Sequence, residues 1–124
     1  MALRLSELIL ESTSPEELAR FWCGALDLVI LSREDDGSVE IGPESGFGGV
    51  QPTIVFSTCA EPSAHRGRLH LDVNPVASTR SDEVERLRGL GAREADIGQT
   101  GEEPWTVLQD PEGNVFCVLD TPLQ

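Results

Sequence analysis

The stretch Ser14-Pro15-Glu16-Glu17-Leu18-Ala19-Arg20-Phe21-Trp22 decides how the chain is read. It predicts a helix start, with Ser14 as N-cap, Pro15 at the first helical position and Glu17 three residues after the cap. Leu18, Phe21, Trp22 and Ala25 then recur at helical spacing on one face, so Trp22 is expected in the core. The same pattern returns in the second half. Glu83, Val84, Arg86 and Leu87 repeat the order of Glu17, Leu18, Arg20 and Phe21, and Gly89-Leu90-Gly91 supplies the helix stop.

Strands flank both helices. Arg4 to Glu11 alternates, with Leu8 and Leu10 on one face and Leu5, Glu7 and Ile9 on the other. Leu28 to Ser32, Val39 to Gly42 and Pro52 to Thr58 follow the first helix, with Asp36-Gly37 marking a hairpin turn. Arg68 to Asn74 precedes the second helix, with Leu69 and Leu71 expected on the helix side and His70 and Asp72 on the other. Ala92 to Ile97, Trp105 to Gln109 and Val115 to Leu119 come after it. Asp110-Pro111-Glu112-Gly113-Asn114 makes the last turn. The polar run Glu61 to Gly67 divides the chain. The element order is therefore βαβββ twice, in residues 1–60 and 67–124 of a single domain spanning 1–124. Strand and helix exchange too seldom for a doubly wound sheet. The fold class is α+β: two modules forming a curved mixed β-sheet cup with helices on its outer face.

Composition narrows the function classes. At 124 residues the chain can bury a core without staples. The hydrophobic fraction of 39% and charged fraction of 25% are those of an ordinary globular domain. A net charge of −13 argues against nucleic acid as partner and suits cationic or neutral small molecules, or solubility alone. Every basic side chain is Arg, which points to a high-GC genome and excludes a Schiff-base lysine. No apolar run is long enough for a membrane, and Glu7 and Glu11 interrupt any leader-like segment. Cys23, Cys59 and Cys117 are an odd set without C-x-x-C spacing, so neither a disulfide framework nor a zinc knuckle is expected. A cytoplasmic setting follows. The loop Gly46 to Gly49 has no phosphate-loop spacing.

The helix opening above, the strand Arg68-Leu69-His70-Leu71-Asp72-Val73 and the hairpin Asp110-Pro111-Glu112-Gly113-Asn114-Val115-Phe116-Cys117 together resemble the vicinal-oxygen-chelate superfamily. More narrowly they resemble its bacterial glyoxalase-like and bleomycin-resistance type. The resemblance covers nearly the whole chain. It implies a homodimer and a site on the concave sheet face. It also implies a divalent metal held by His, Glu or Gln from the first and fourth strands of each module. Matched position by position, those ligands fall on Glu7, Ser57, His70 and Cys117, so only His70 is an unaltered match. Glu7 can ligate, Cys117 can do so as a thiolate suited to zinc, and Ser57 is a poor ligand. No metal or other cofactor is therefore expected, with a divalent metal as the alternative.

The expected ligand-binding set is Glu7, Ser57, His70, Asp72, Trp105 and Cys117, with His70 and Glu7 as the catalytic candidates. Two readings stand for His70, Glu7 and Cys117. His70 is a base, ligand or donor in a cup, or a histidine held by a core hydrogen bond. Glu7 is a functional carboxylate among apolar neighbours, or is simply hydrated. Cys117 packs as a small hydrophobe, or reacts. Trp105, after the acidic loop Gly98 to Pro104, can wall a pocket by stacking.

The function expected is binding of a small organic molecule without the usual metal, as in drug-sequestering members that take cationic antibiotics. The alternative is a lyase, isomerase or dioxygenase acting on a small oxygenated substrate; glyoxalase I activity itself is not expected. A third class is an accessory domain acting through a protein partner.

Overall fold

Alternation of apolar and polar residues sets which face of each strand is buried. The computed structural model describes residue 2, residues 4–61 and residues 69–120. Most of the expected linker, residues 62–67, lies outside them, as does Arg68 of the expected fifth strand. The chain divides into two compact units, Met1–Ala64 and His65–Gln124.

The first unit runs β1 (Glu7–Ser12), α1 (Pro15–Leu26), β2 (Val29–Arg33), β3 (Val39–Gly42) and β4 (Thr53–Thr58). Its sheet order is β1-β4-β3-β2, with β1 parallel to β4 and the other pairs antiparallel. Leu18, Ala19, Phe21 and Trp22 of α1 are buried with Val39, Ile41, Ile54 and Phe56 of the sheet. The other sheet face carries Glu7, Ile9 and Glu11 beside Thr53, Val55 and Ser57. Side chains crowd the backbone of Gly42. A Cβ on Gly42 would lie 2.8 Å from Thr53 Cγ2 and 2.9 Å from Leu31 Cδ1, so only glycine fits without displacing them.

The second unit runs β5 (Leu71–Val73), α2 (Arg80–Leu90), β6 (Arg93–Glu94), β7 (Trp105–Gln109) and β8 (Val115–Leu119). Its sheet order, β5-β8-β7-β6, repeats the first, with β5 parallel to β8. Val84 and Leu87 of α2 are buried, at the positions corresponding to Leu18 and Phe21. Leu108, Phe116 and Val118 alternate onto the helix side and are buried too. Both units are thus βαβββ, an α+β fold.

Three local expectations need correction. The Ser14 side chain makes no capping hydrogen bond; instead its backbone N–H donates to Ser12 Oγ at 3.1 Å. The side-chain cap is found on α2, where Thr79 accepts the Asp82 N–H at 3.1 Å. Leu69 precedes β5 rather than lying in it and is 86% exposed, since the pairing with β8 begins only at Leu71. The strand expected over 92–97 shrinks to Arg93–Glu94, because Ile97 and Gly98 turn back through hydrogen bonds to Gln99 and Asp96. The glycine stop does occur, with Gly91 at φ 120° closing α2.

Candidate functional site

His70, Asp72 and Cys117 are brought together on the face of the second sheet opposite α2. Asp72 and Cys117 are register partners on the parallel strands β5 and β8. His70 lies two residues before Asp72, and period two puts both on the same side. The imidazole Nε2 is 3.2 Å from Asp72 Oδ1, with the two side chains 52% and 50% exposed. Cys117 is buried at 7% exposure, and donor atoms of all three lie within 4.8 Å of one another. Burial pushes the Cys117 thiol up from its ordinary value. The negative charge of Asp72, which also accepts the S–H, pushes it further. The sulfur is accordingly a protonated thiol at neutral pH, not a ready nucleophile.

Trp105 begins β7 on the same face, since Trp105 pairs with Leu119 and Val107 with Cys117. Two strand spacings and one two-residue step separate the Trp105 backbone from that of Asp72, about 12 Å. The ring is 41% exposed. The loop before it is ordered by Glu103. This carboxylate accepts the Thr100 N–H at 2.8 Å, the Thr100 hydroxyl at 3.1 Å and the Gly101 N–H at 2.9 Å. These donors hold Glu103 down from 4.5 to about 2. A depressed folded value means that the carboxylate steadies the loop fully above pH 4.5 and loses this role as pH falls toward 2. A carbon-detected NMR titration of Glu103 is expected to show its midpoint near 2; a midpoint at 4.5 would mean the loop bonds do not form in solution.

Glu7 and Ser57 are not brought together. Glu7 pairs with Thr53, and Ser57 pairs with Glu11, four residues further along β1. That offset is about 13 Å. The neighbours of Glu7 are instead Thr53, whose buried hydroxyl donates to Glu40 Oε2 at 2.7 Å, and the exposed Ile9. Sequence reading missed Glu40 and Glu11. Their signal was the alternation of β3 and β1, but only the sheet order puts both on one face with Glu7. Cys59, just beyond β4, donates its S–H to Glu11 Oε2 at 3.1 Å, and Cys23, Cys59 and Cys117 are all free thiols.

The family model described as "Glyoxalase-like domain" matches residues 7–119. The chain belongs to the glyoxalase-like domain family. Solved structures share the fold of this glyoxalase-like domain. FosX, a fosfomycin resistance protein from Listeria monocytogenes solved with Mn(II) and 1S,2S-dihydroxypropylphosphonic acid, is 14% identical with TM-score 0.71. That match covers 99% of this chain and 94% of the other. FosX from Mesorhizobium loti is 17% identical with TM-score 0.69, covering 99% and 95%. TnmS3, an antibiotic binding protein from Streptomyces sp. CB03234, is 18% identical with TM-score 0.62, covering 99% of each chain. No curated protein matches the chain. Among the described residues, no helix is long and apolar enough to cross a membrane.

The metal set that the resemblance implies can be tested on this glyoxalase-like domain's own donors. A hard octahedral ion wants carboxylate, imidazole and carbonyl oxygen or nitrogen. Here the matched positions include the buried thiol Cys117 and the hydroxyl Ser57, which stands away from Glu7. The residues do not fit a hard-ion site, and no chemical step is routed through one.

Proposed function

We propose that this glyoxalase-like domain binds a small organic molecule on the sheet face opposite α2, without a hard divalent ion. The observation that carries the reading is the pairing of an accessible polar anchor with an accessible aromatic ring on one face. His70 and Asp72 form the anchor at 3.2 Å, and the indole of Trp105 lies beyond Val107 and Leu119. Such a face suits a molecule of drug size with a polar or cationic group at one end. Asp72 accepts from a cation or hydroxyl, His70 donates or accepts, and Trp105 stacks on an apolar or ring portion. The net charge of −13 favours cationic ligands over anionic ones. The likeness to an antibiotic binding protein supports ligand sequestration as the class of function. The working unit proposed is a cytoplasmic homodimer, read by sedimentation velocity.

The test is a thermal-shift screen of chelator-stripped protein against cationic antibiotics and related natural products. A true ligand raises Tm in proportion to log concentration above Kd. Asp72→Asn and Trp105→Ala should each weaken it roughly 10- to 100-fold, the value of one charged hydrogen bond or one stacked ring. A screen without a hit, or a ligand indifferent to both variants, removes the proposal.

A second reading has its own observation. An imidazole held 3.2 Å from a carboxylate is the arrangement of an oriented general base. A lyase, isomerase or dioxygenase would use His70 to move a proton on a small oxygenated substrate, with Asp72 holding the imidazole's tautomer and Glu7 as the other candidate base. Turnover that survives His70→Ala would rule that role out.

A further inference from the structure

The misfit to a hard-ion set has a positive side. We propose that His70, Asp72 and Cys117 bind one thiophilic divalent ion of the zinc class, held by the second half of the chain alone. Asp72 lies outside the four positions matched above, and Cys117 brings sulfur where the resemblance implies a carboxylate.

Geometry carries the argument. Tetrahedral zinc has bonds of about 2.0–2.3 Å to nitrogen, oxygen and sulfur, which places neighbouring donors roughly 3.3–3.8 Å apart. The three donor atoms already lie within 4.8 Å of one another, and His70 and Asp72 are at 3.2 Å. Closing the set needs movements of about 1 Å, within the rotamer freedom of two half-exposed side chains. The third donor is fixed. Cys117 sits in the middle strand pairing of β5, β8 and β7, directly across from Asp72 on one side and Val107 on the other. Its sulfur is the floor of the site, with His70 and Asp72 at the rim.

Charge agrees with geometry. A carboxylate and a thiolate neutralise a dication, and a neutral imidazole completes three donors. Binding breaks the S–H bond of Cys117, forms the metal–sulfur bond and releases one proton to solvent. Sulfur selects zinc and cobalt over manganese and magnesium. Three protein donors leave one tetrahedral position open to water or to a donor atom of a bound molecule. Among the described residues no equivalent set occurs in the first unit, where Glu7, Glu11, Ser57 and Glu40 offer oxygen and the Cys59 thiol meets the Glu11 carboxylate.

The experiment uses the full chain, stripped with chelator, and Co(II) as the spectroscopic probe. One equivalent of Co(II) is expected to produce a sulfur-to-metal charge-transfer band in the near ultraviolet and intense tetrahedral d–d absorption. Zn(II) should abolish both at stoichiometric amounts, while equimolar Mn(II) leaves them in place. Cys117→Ser should lose the charge-transfer band. Because Cys117 is packed, Asp72→Asn and His70→Ala serve as surface variants whose fold circular dichroism checks. Each should weaken Co(II) binding at least 10-fold. A wild-type titration without the charge-transfer band overturns the proposal. Unchanged affinity in both surface variants, or displacement by Mn(II) as readily as by Zn(II), does so equally. The inference does not rest on the organic-ligand reading, which is tested on metal-free protein and stands or falls separately.

Discussion

Trp22→Ala lowers stability by about 4 kcal/mol, among the larger losses expected of a single substitution. Trp22 is one of the largest fully buried side chains, at 2% exposure on the inner face of α1. Its ring meets Phe21 edge-to-face, with centroids 5.1 Å apart and planes at 89°, an arrangement that adds to the loss from burial alone. Alanine leaves a cavity between α1 and the sheet that surrounding side chains cannot fill, because Leu18, Val39, Ile41 and Phe56 are themselves fully packed. Equilibrium unfolding in urea is the measurement. The midpoint should fall while the slope stays constant. Trp105 then remains as the chain's other tryptophan and reports the transition by fluorescence. A loss under about 1 kcal/mol would mean that the helix is not seated as described.

Asp110→Ala should cost about 3 kcal/mol. Asp110 is completely buried, and both of its carboxylate oxygens are used. Oδ1 accepts the Glu112 N–H at 2.9 Å, the Asn114 N–H at 3.0 Å and the Asn114 amide at 3.1 Å; Oδ2 accepts that same amide at 2.9 Å. Alanine strands two part-buried backbone donors. Tm should fall by roughly 10 °C, from the usual scaling for a chain of this size. Asp110→Asn keeps one acceptor oxygen and should cost less than half as much. Equal losses in the two variants would show that charge, rather than the number of acceptors, holds the turn. The turn joins β7 to β8, so its loss also loosens the register that sets Cys117 beside Val107 and Trp105 beside Leu119.

Much of this architecture was legible because its signals are local. Ser14-Pro15 starts a helix, Asp36-Gly37 turns a hairpin, and Gly91 stops a helix, each through backbone preferences that need no partner. The alternation around His70 likewise placed His70 and Asp72 on one face. What the sequence could not show was register. Asp72 and Cys117 are separated by most of the second unit, and only the parallel pairing of β5 with β8 sets them side by side. The same long-range pairing, between β1 and β4, parts Ser57 from Glu7. A one-residue sequence match cannot see such an offset, because register is decided by sheet packing on the helix. The cap at Ser14 failed for a different reason. Ser12 already supplies an oxygen to the Ser14 N–H, so the chain enters α1 through a turn that leaves the Ser14 side chain outside the capping geometry.

The strand orders β1-β4-β3-β2 and β5-β8-β7-β6 put the last-made strand of each half inside its sheet, not at an edge. Neither sheet is continuous until that strand arrives. During synthesis the first half can close as soon as Thr58 has left the ribosome, while the second half is still being translated. The second half must wait for Leu119. Until then β5 has no hydrogen-bonding neighbour, and its short Leu71–Val73 segment is an open strand in a growing chain. Ribosome stalling far enough past residue 58 for all of β4 to clear the exit tunnel should therefore yield a protease-resistant first half. A chain ended before residue 115 and released from the ribosome should be digestible everywhere after the first half.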